Sequence, residues 1–202
     1  MKLLITTPNG TIGRRIVPEL LAPEFSVRVI TRHPNRLPSE IRQQVEIVRG
    51  SIDDAGILRQ ALDGVDALFW CIPRAPIRET HPRDHYERFA RAALQAIREA
   101  ETPRVVSISA GSILDSYGTE ETLNESGASL RHLRCDWFTE NFSVPVTRRQ
   151  KDVGTTAIVT HIADLALRFL VRTDWSGVEA LSIPGPEDLS CDQAAAFIEG
   201  TF

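Results

Sequence analysis

The sequence predicts an α/β protein: a doubly wound parallel sheet with a small, abbreviated C-terminal lobe. Three observations carry that expectation. Strand-like and helix-like patterns alternate through the first half of the chain, as βαβ units require. The fourth strand-like run, Ala67-Leu68-Phe69-Trp70-Cys71-Ile72, is apolar on both faces, as a central strand of a parallel sheet covered by helices on both sides should be. The chain also opens on an apolar run that breaks into a small-residue turn and then into helical spacing.

Taken in order, the first strand is Lys2-Leu3-Leu4-Ile5, and Ile12, Ile16 and Leu20 mark one face of the helix after the turn. Ser26-Val27-Arg28-Val29-Ile30-Thr31 is the second strand, followed by a proline-bounded link and a short helical patch over 39–44. The third strand, 45–49, ends at Gly50. Asp53 is placed to cap the next helix, which carries Ile57, Leu58, Ala61 and Leu62 on one face and stops at Gly64. After the fourth strand, a helix over 84–100 sets Phe89, Ala93, Leu94 and Ile97 at helical spacing and turns its charges to solvent. The fifth strand is 104–109. The second half is less regular: a helix over 120–125, a strand over 129–133, a turn at Pro184-Gly185-Pro186 and a helix from Ser190 with capping-box spacing. The polar stretch 148–156 reads as a loop. One domain over 1–202 is expected, with 1–125 as the core and 126–202 supplying the last strands and a small substrate-side lobe.

Composition narrows the function classes. With 42% hydrophobic and 25% charged residues the chain reads as a soluble globular protein. A net charge of −4 argues against a general nucleic-acid binder, although Arg14, Arg15, Arg28 and Arg32 offer local positive charge where a phosphate would need it. Cys71, Cys135 and Cys191 are odd in number and far apart, which fits free thiols in a reducing compartment and neither a disulfide framework nor a zinc site. No apolar run approaches a membrane span, and the chain starts on a strand, so a cytoplasmic protein without membrane contact is expected, as monomer or homodimer.

The turn after the first strand, Thr7-Pro8-Asn9-Gly10-Thr11-Ile12-Gly13, has the geometry that presents backbone amides to a phosphate. Gly10 lets the backbone approach a pyrophosphate and Gly13 lets the helix pack closely on the strand. Thr7 stands where the usual fingerprint has its first glycine. Nineteen residues past Gly13, the second strand ends at Arg32 with no acid beside it. A carboxylate there would suit a ribose 2′-hydroxyl, whereas an arginine suits a 2′-phosphate. The two elements together point to NADP(H) in preference to NAD(H).

Several segments resemble the NmrA-like branch of the atypical short-chain dehydrogenases. They are Thr7-Pro8-Asn9-Gly10-Thr11-Ile12-Gly13-Arg14, Gly50-Ser51-Ile52-Asp53-Asp54, Gly64-Val65-Asp66-Ala67-Leu68-Phe69 and the later Ser126-Gly127, Leu133-Arg134, Phe138 and Glu140-Asn141. Asp164-Leu165-Ala166 and Gly185-Pro186-Glu187-Asp188-Leu189-Ser190 complete the series. The resemblance implies a Rossmann domain that binds NADP(H), with a small C-terminal lobe closing a cleft over the nicotinamide. By position, Thr7, Asn9, Gly10, Thr11, Ile12 and Gly13 would cradle the pyrophosphate and Arg32 would meet the 2′-phosphate. Ser51 and Ile52 would flank the adenine, Cys71, Ile72 and Pro73 would line the cofactor edge, and Ser109 and Ala110 would sit near the nicotinamide ribose. The chain departs from the family in having Thr7 for a glycine, Ser51 for an adenine-contacting aspartate, and a short C-terminal lobe that leaves the cleft open.

Hydride transfer to a carbonyl normally needs a proton donor, which ordinary short-chain dehydrogenases supply with a Tyr-x-x-x-Lys pair. Here Tyr117 is followed four residues later by Glu121, and no lysine lies between Lys2 and Lys151. Tyr117 remains a candidate acid, but an unassisted phenol of pKa ~10 does little acid–base work near neutrality. His132, one residue before Leu133, is the other candidate donor, a hydrogen-bonded structural histidine being the alternative. His81 and His85, four residues apart with Pro82 between them and no clear third ligand, read as a solvated helix start and not as a metal site. Trp70 belongs to the core by its place in a buried strand, and Cys135 reads as an inert small hydrophobe. Trp137 and Phe142 are candidate substrate contacts. Two function classes follow: an NADPH-dependent reductase of a quinone-like or conjugated carbonyl small molecule, or a non-catalytic NADP(H)-binding redox sensor acting through a regulatory protein partner.

Overall fold

The computed structural model of the chain describes residues 1–76, 80–110, 118–135, 137–138, 156–157 and 159–183. Seven strands form one sheet: β1 (Lys2–Ile5), β2 (Ser26–Thr31), β3 (Glu46–Arg49), β4 (Ala67–Cys71), β5 (Arg104–Ala110), β6 (Ser129–Cys135) and β9 (Val178–Ile183). Their order is β3-β2-β1-β4-β5-β6-β9, and every pairing is parallel. This is the doubly wound sheet that the alternating pattern predicts. A separate pair of two-residue strands, β7 (Trp137–Phe138) and β8 (Thr156–Ala157), lies outside it. The helices are α1 (Gly13–Glu19), α2 (Ser39–Arg42), α3 (Ala55–Leu62), α4 (Pro82–Ala100), α5 (Thr119–Asn124) and α6 (Val159–Val171).

Strand periodicity sorts the core into two layers, because successive side chains leave opposite faces of the sheet. Leu3 and Ile5 of β1 pack with Phe69, Val106 and Leu133 beneath Ile16 and Val17 of α1 and Ile162, Ala166 and Leu170 of α6. On the other face Leu4, Leu68, Trp70, Val105 and Leu130 pack beneath Leu58 and Leu62 of α3 and Phe89, Ala93 and Ile97 of α4. Trp70 is 1% exposed, as its position in a central strand requires. No helix among the described residues is long and apolar enough to cross a membrane.

Four expectations are corrected in detail. Asp54, not Asp53, caps α3: its Oδ1 accepts from the amides of Gly56 (2.8 Å) and Ile57 (3.2 Å). Arg28 is not a phosphate ligand. It is buried, and its Nη1 donates to the carbonyls of Ala61 (2.6 Å) and Asp63 (2.9 Å) at the end of α3 while Nη2 meets Glu46 at 2.8 Å. An arginine there satisfies carbonyls that the last helical turn leaves open. His85 is buried and not solvated, with Nε2 2.8 Å from the Pro73 carbonyl, so α4 clasps the exit of β4. β6 runs two residues past its expected end, and α6 and β9 extend the sheet system where no element was assigned from sequence.

Candidate functional site

A parallel sheet gathers the C-terminal ends of its strands along one edge. Ligands of such sheets bind where neighbouring connections leave in opposite directions, here between β1 and β4. The Thr6 side chain pins that opening. Its hydroxyl donates to the Phe69 carbonyl (2.9 Å) and accepts from the Cys71 amide (3.0 Å), tying the end of β1 to the end of β4. Thr6 was not singled out in the sequence, since a small polar residue after a strand carries no distinctive signal.

The turn that follows is tightly built. Thr7 takes φ +47°, in the left-handed region that β-branched residues avoid, and the Gly10 amide donates to its carbonyl at 2.9 Å. A Cβ on Gly13 would lie 2.3 Å from that same carbonyl oxygen and 3.0 Å from Pro8 Cα. Only glycine fits there. At Gly10 a Cβ would come within 3.1 Å of the Thr7 oxygen, so that position is nearly as tight. Ile12 is buried beneath α1, Thr11 is half-buried and Asn9 is exposed, with Nδ2 3.4 Å from the Thr31 hydroxyl. No acidic residue occupies the first turn of α1. The loop is therefore a close-packed backbone cradle that an acidic side chain does not crowd, which fits a pyrophosphate.

Around this cradle the other strand exits bring the expected residues to the same edge. Arg32, just past β2, is exposed, and no described residue forms an ion pair with it. Past β3, the Ser51 hydroxyl bonds to Asp53, and Arg88 Nε meets the same carboxylate at 3.2 Å; together they hold Asp53 below the usual carboxylate range. Ile52 is buried in the α3–α4 core layer. Past β4, Cys71, Ile72 and Pro73 are half-buried. Burial pushes the Cys71 thiol up to about 11 against the opposing hydrogen bond from Thr7, so it stays protonated at neutral pH.

At the β5–β6 end, two polar ladders cross between strands and α5. In the first, Ser107 Oγ lies 2.6 Å from His132 Nδ1, and His132 Nε2 lies 2.8 Å from Asn124 Oδ1. His132 is 1% exposed, and its ring fits one tautomer, Nε2–H donating to the amide oxygen and Nδ1 accepting from the serine. Burial holds its pKa below 6.5, outweighing the attraction of Glu120. This geometry commits both ring nitrogens to protein partners and favours a structural histidine over a donor to substrate. In the second ladder Ser109 donates to Glu120 Oε1, and Arg134 chelates the same carboxylate, with Nη2 2.6 Å from Oε2. Burial raises the Glu120 pKa, but the bonds from Arg134 and Ser109 outweigh it and the net shift is downward. Glu120 was missed in the sequence because an acid in the run Thr119-Glu120-Glu121 reads as solvent-facing. Ala110 ends β5 opposite Cys135. Trp137 lies in β7, paired with Thr156. Tyr117 and Phe142 lie outside the described residues.

The model of the NAD(P)H-binding family matches residues 8–170, most of the chain and most of this edge. The chain belongs to that family. That membership and the Rossmann sheet agree with the NmrA-like resemblance. Among curated relatives, the (4-alkanoyl-5-oxo-2,5-dihydrofuran-3-yl)methyl phosphate reductase of Streptomyces griseus is 28% identical over 96% of this chain and 71% of its own length. Sterol demethylase protein B of Methylococcus capsulatus is 29% identical over 93% of this chain, which spans only 53% of that protein. Triphenylmethane reductase of Citrobacter sp., solved with NADP(H), superposes with a TM-score of 0.77 at 16% identity, covering 100% of this chain and 76% of its own. The NADPH-dependent quinone oxidoreductase of Escherichia coli, solved with NADPH, gives 0.76 at 20% identity over 98% and 75%. At these identities the structures establish the fold.

Two outcomes follow from the geometry. Gly13→Val is expected to abolish dinucleotide binding and to destabilise the fold, whereas Thr7→Gly should raise stability by about 1 kcal/mol by relieving a left-handed β-branched residue, with cofactor affinity retained. Denaturant unfolding and titration calorimetry check both, and a Gly13→Val protein that folds and binds NADPH normally would show that the loop is not the site. The second outcome concerns acid. The unfolded chain takes up a proton at His132 below 6.5 that the folded chain resists, so stability present above that pH is lost as pH falls through it. Glu120 adds a further loss below 4.5, as its carboxylate is forced to protonate. In melting curves against pH, His132→Gln should remove the first step and keep the second.

Proposed function

We propose that the chain is an NADP(H)-dependent reductase of a quinone-like or conjugated carbonyl small molecule. The observation that carries this reading is the way the β4–β6 edge holds its protons. His132 has both nitrogens committed within the protein, and the Cys71 thiol is held protonated by burial. The sequence contains no Tyr-x-x-x-Lys pair to replace them. A saturated ketone develops a localised alkoxide on reduction and needs an acid beside it. A quinone or enone spreads the developing charge and takes its proton from water. The site suits the second kind of acceptor.

Bound NADPH would supply the hydride. The chain's part is to hold it: the loop from Thr7 to Gly13 around the pyrophosphate, Arg32 on the 2′-phosphate, Ser51 and Ile52 at the adenine, Cys71, Ile72 and Pro73 along its edge, and Ser109 and Ala110 at the nicotinamide ribose. Support for NADP(H) over NAD(H) comes from an exposed Arg32 with no carboxylate beside it at the end of β2. Arginine pairs with phosphate through charge-assisted, often bidentate bonds. The similar proteins named above, a reductase of a dihydrofuranone phosphate, a triphenylmethane reductase and a quinone oxidoreductase, support a reductase of a conjugated small molecule. Trp137 and Phe142 are the residues we assign to the acceptor.

In calorimetry NADPH should bind more tightly than NADH, and Arg32→Ala should erase most of the difference; equal affinities in the unmodified protein would sink the assignment. An NADPH-consumption assay across quinones, enones and aldehydes should show turnover with the first two. Tyr117→Phe should cost only a few-fold in kcat, whereas a true general acid is worth ~10²–10⁴-fold, and Trp137→Ala should raise KM. Abolished turnover in Tyr117→Phe with unchanged NADPH affinity would overturn the acid-free mechanism. Tight NADPH binding without reduction of any acceptor would turn the reading to a redox sensor acting through a partner protein.

A further inference from the structure

We propose that the first turns of α4 set the width of the slot between the exits of β3 and β4, with His85 and Arg88 as its positioning residues. The proposal rests on the reading of this edge as an NADP(H) site, in which Ser51 and Ile52 flank the adenine past β3 while Ile72 and Pro73 line the cofactor past β4. The two exits are not neighbours in the sheet. β2 and β1 stand between β3 and β4, so no ladder hydrogen bond joins the two strands directly. The start of α4 reaches both.

His85 holds the β4 exit. It is 7% exposed, and its Nε2 lies 2.8 Å from the Pro73 carbonyl oxygen. A carbonyl only accepts, so Nε2 carries the proton and donates it. One residue on, the Tyr86 hydroxyl oxygen accepts from the Ala75 amide at 3.5 Å. Arg88 holds the β3 exit: its Nε donates to Asp53 Oδ2 at 3.2 Å, and the same carboxylate accepts from the Ser51 hydroxyl. Phe89 packs against both. Its ring centroid is 4.7 Å from that of His85 and 5.6 Å from the Arg88 guanidinium carbon. Residues 85, 88 and 89 share one side of a helix. Phe89 is buried in the core layer beneath α4, so the pair is mounted on a stretch of helix that cannot shift without opening the core.

Neither residue needs to touch the cofactor, because each acts through the exit it holds. Residues 72–76 belong to no helix or strand, so the imidazole tethers a segment that the sheet does not. Without that donor the Pro73 carbonyl must find another, and the exit is free to move. A flat base held between two walls loses dispersion contact as soon as either wall recedes. The loss falls on the adenosine half of the cofactor. NADPH and a shorter adenosine ligand are therefore affected alike.

Calorimetry on the intact protein tests this with two probes: NADPH, and adenosine 2′,5′-bisphosphate, which lacks the nicotinamide riboside. His85→Phe keeps a ring in place and removes the donor. It should weaken both probes by about tenfold, the worth of a good hydrogen bond. His85→Gln, whose side-chain amide restores an N–H, should recover most of that loss. Arg88→Gln, at an exposed position, should weaken both probes by about threefold, as the loss of an exposed ion pair allows. A merely structural role would lower the melting temperature of these variants and leave the affinities of the folded protein unchanged. Should His85→Phe fail to fold, Arg88→Gln alone decides. Unchanged affinities, a loss confined to NADPH, or a loss that His85→Gln does not recover would overturn the proposal while the cofactor site stands. If the unmodified protein binds neither probe, the cofactor reading itself falls, and this proposal with it.

Discussion

The arrangement depends on one close approach: the start of α1 lies against the carbonyl of Thr7 with no space for a side chain on Gly13. From that contact α1 takes its place over Leu3, Ile5 and Phe69, and α6 completes the same layer through Ile162, Ala166 and Leu170. The contact also explains why the turn is strained. To aim its carbonyl at the Gly10 amide, residue 7 must adopt a left-handed backbone, which a glycine would do at no cost and Thr7 does against its own Cβ. Strain of this kind persists where surrounding packing over-determines it and collects at ligand sites. Here the surrounding packing includes the Thr6 bridge between β1 and β4 and the hydrogen bond between Thr7 and Cys71.

The far end of the edge is organised differently. Around β5, β6 and α5 the side chains are polar and buried, and hydrogen bonds satisfy them in closed sets: Ser107 with His132 and Asn124, Ser109 with Glu120 and Arg134. A buried polar network rigidifies when its members are paired, because breaking any one bond leaves a group without solvent to replace it. Such a network holds geometry well. It is poor at delivering protons, since each one is already committed. Under the function proposed above, such a network would orient the cofactor and leave protonation of the product to water.

The sequence was most legible where burial is most complete. β1, β2, β4 and β5 are runs such as Leu3-Leu4-Ile5 and Ala67-Leu68-Phe69-Trp70, mostly buried, while the outer β3 was read from its alternation around Ile47 and Val48; the boundaries of all five hold within about a residue. β9 escaped because Val178, Glu179 and Ala180 are exposed at the sheet's edge, so the strand lacks an apolar pattern. α6 escaped although its signal was present, Ile162, Ala166 and Leu170 standing at helical spacing. In the site, the loop glycines and Arg32 could be read directly, since backbone room and a terminal cation are local properties. The partners of His132, the burial of Glu120 and the inward turn of Arg28 could not, because each depends on elements far apart in the chain. Asp53 and Asp54 sit side by side, and only helix geometry decides which of them caps α3.

The central claim is that one edge of the sheet holds an NADP(H) molecule along its whole length. A crystal structure of the complex with NADPH tests it most directly. The account predicts the pyrophosphate over the loop from Thr7 to Gly13, the 2′-phosphate on Arg32, and the nicotinamide riboside beside Ser109 with Glu120 still chelated by Arg134. A cofactor seated elsewhere, or one whose 2′-phosphate points away from Arg32, would contradict it.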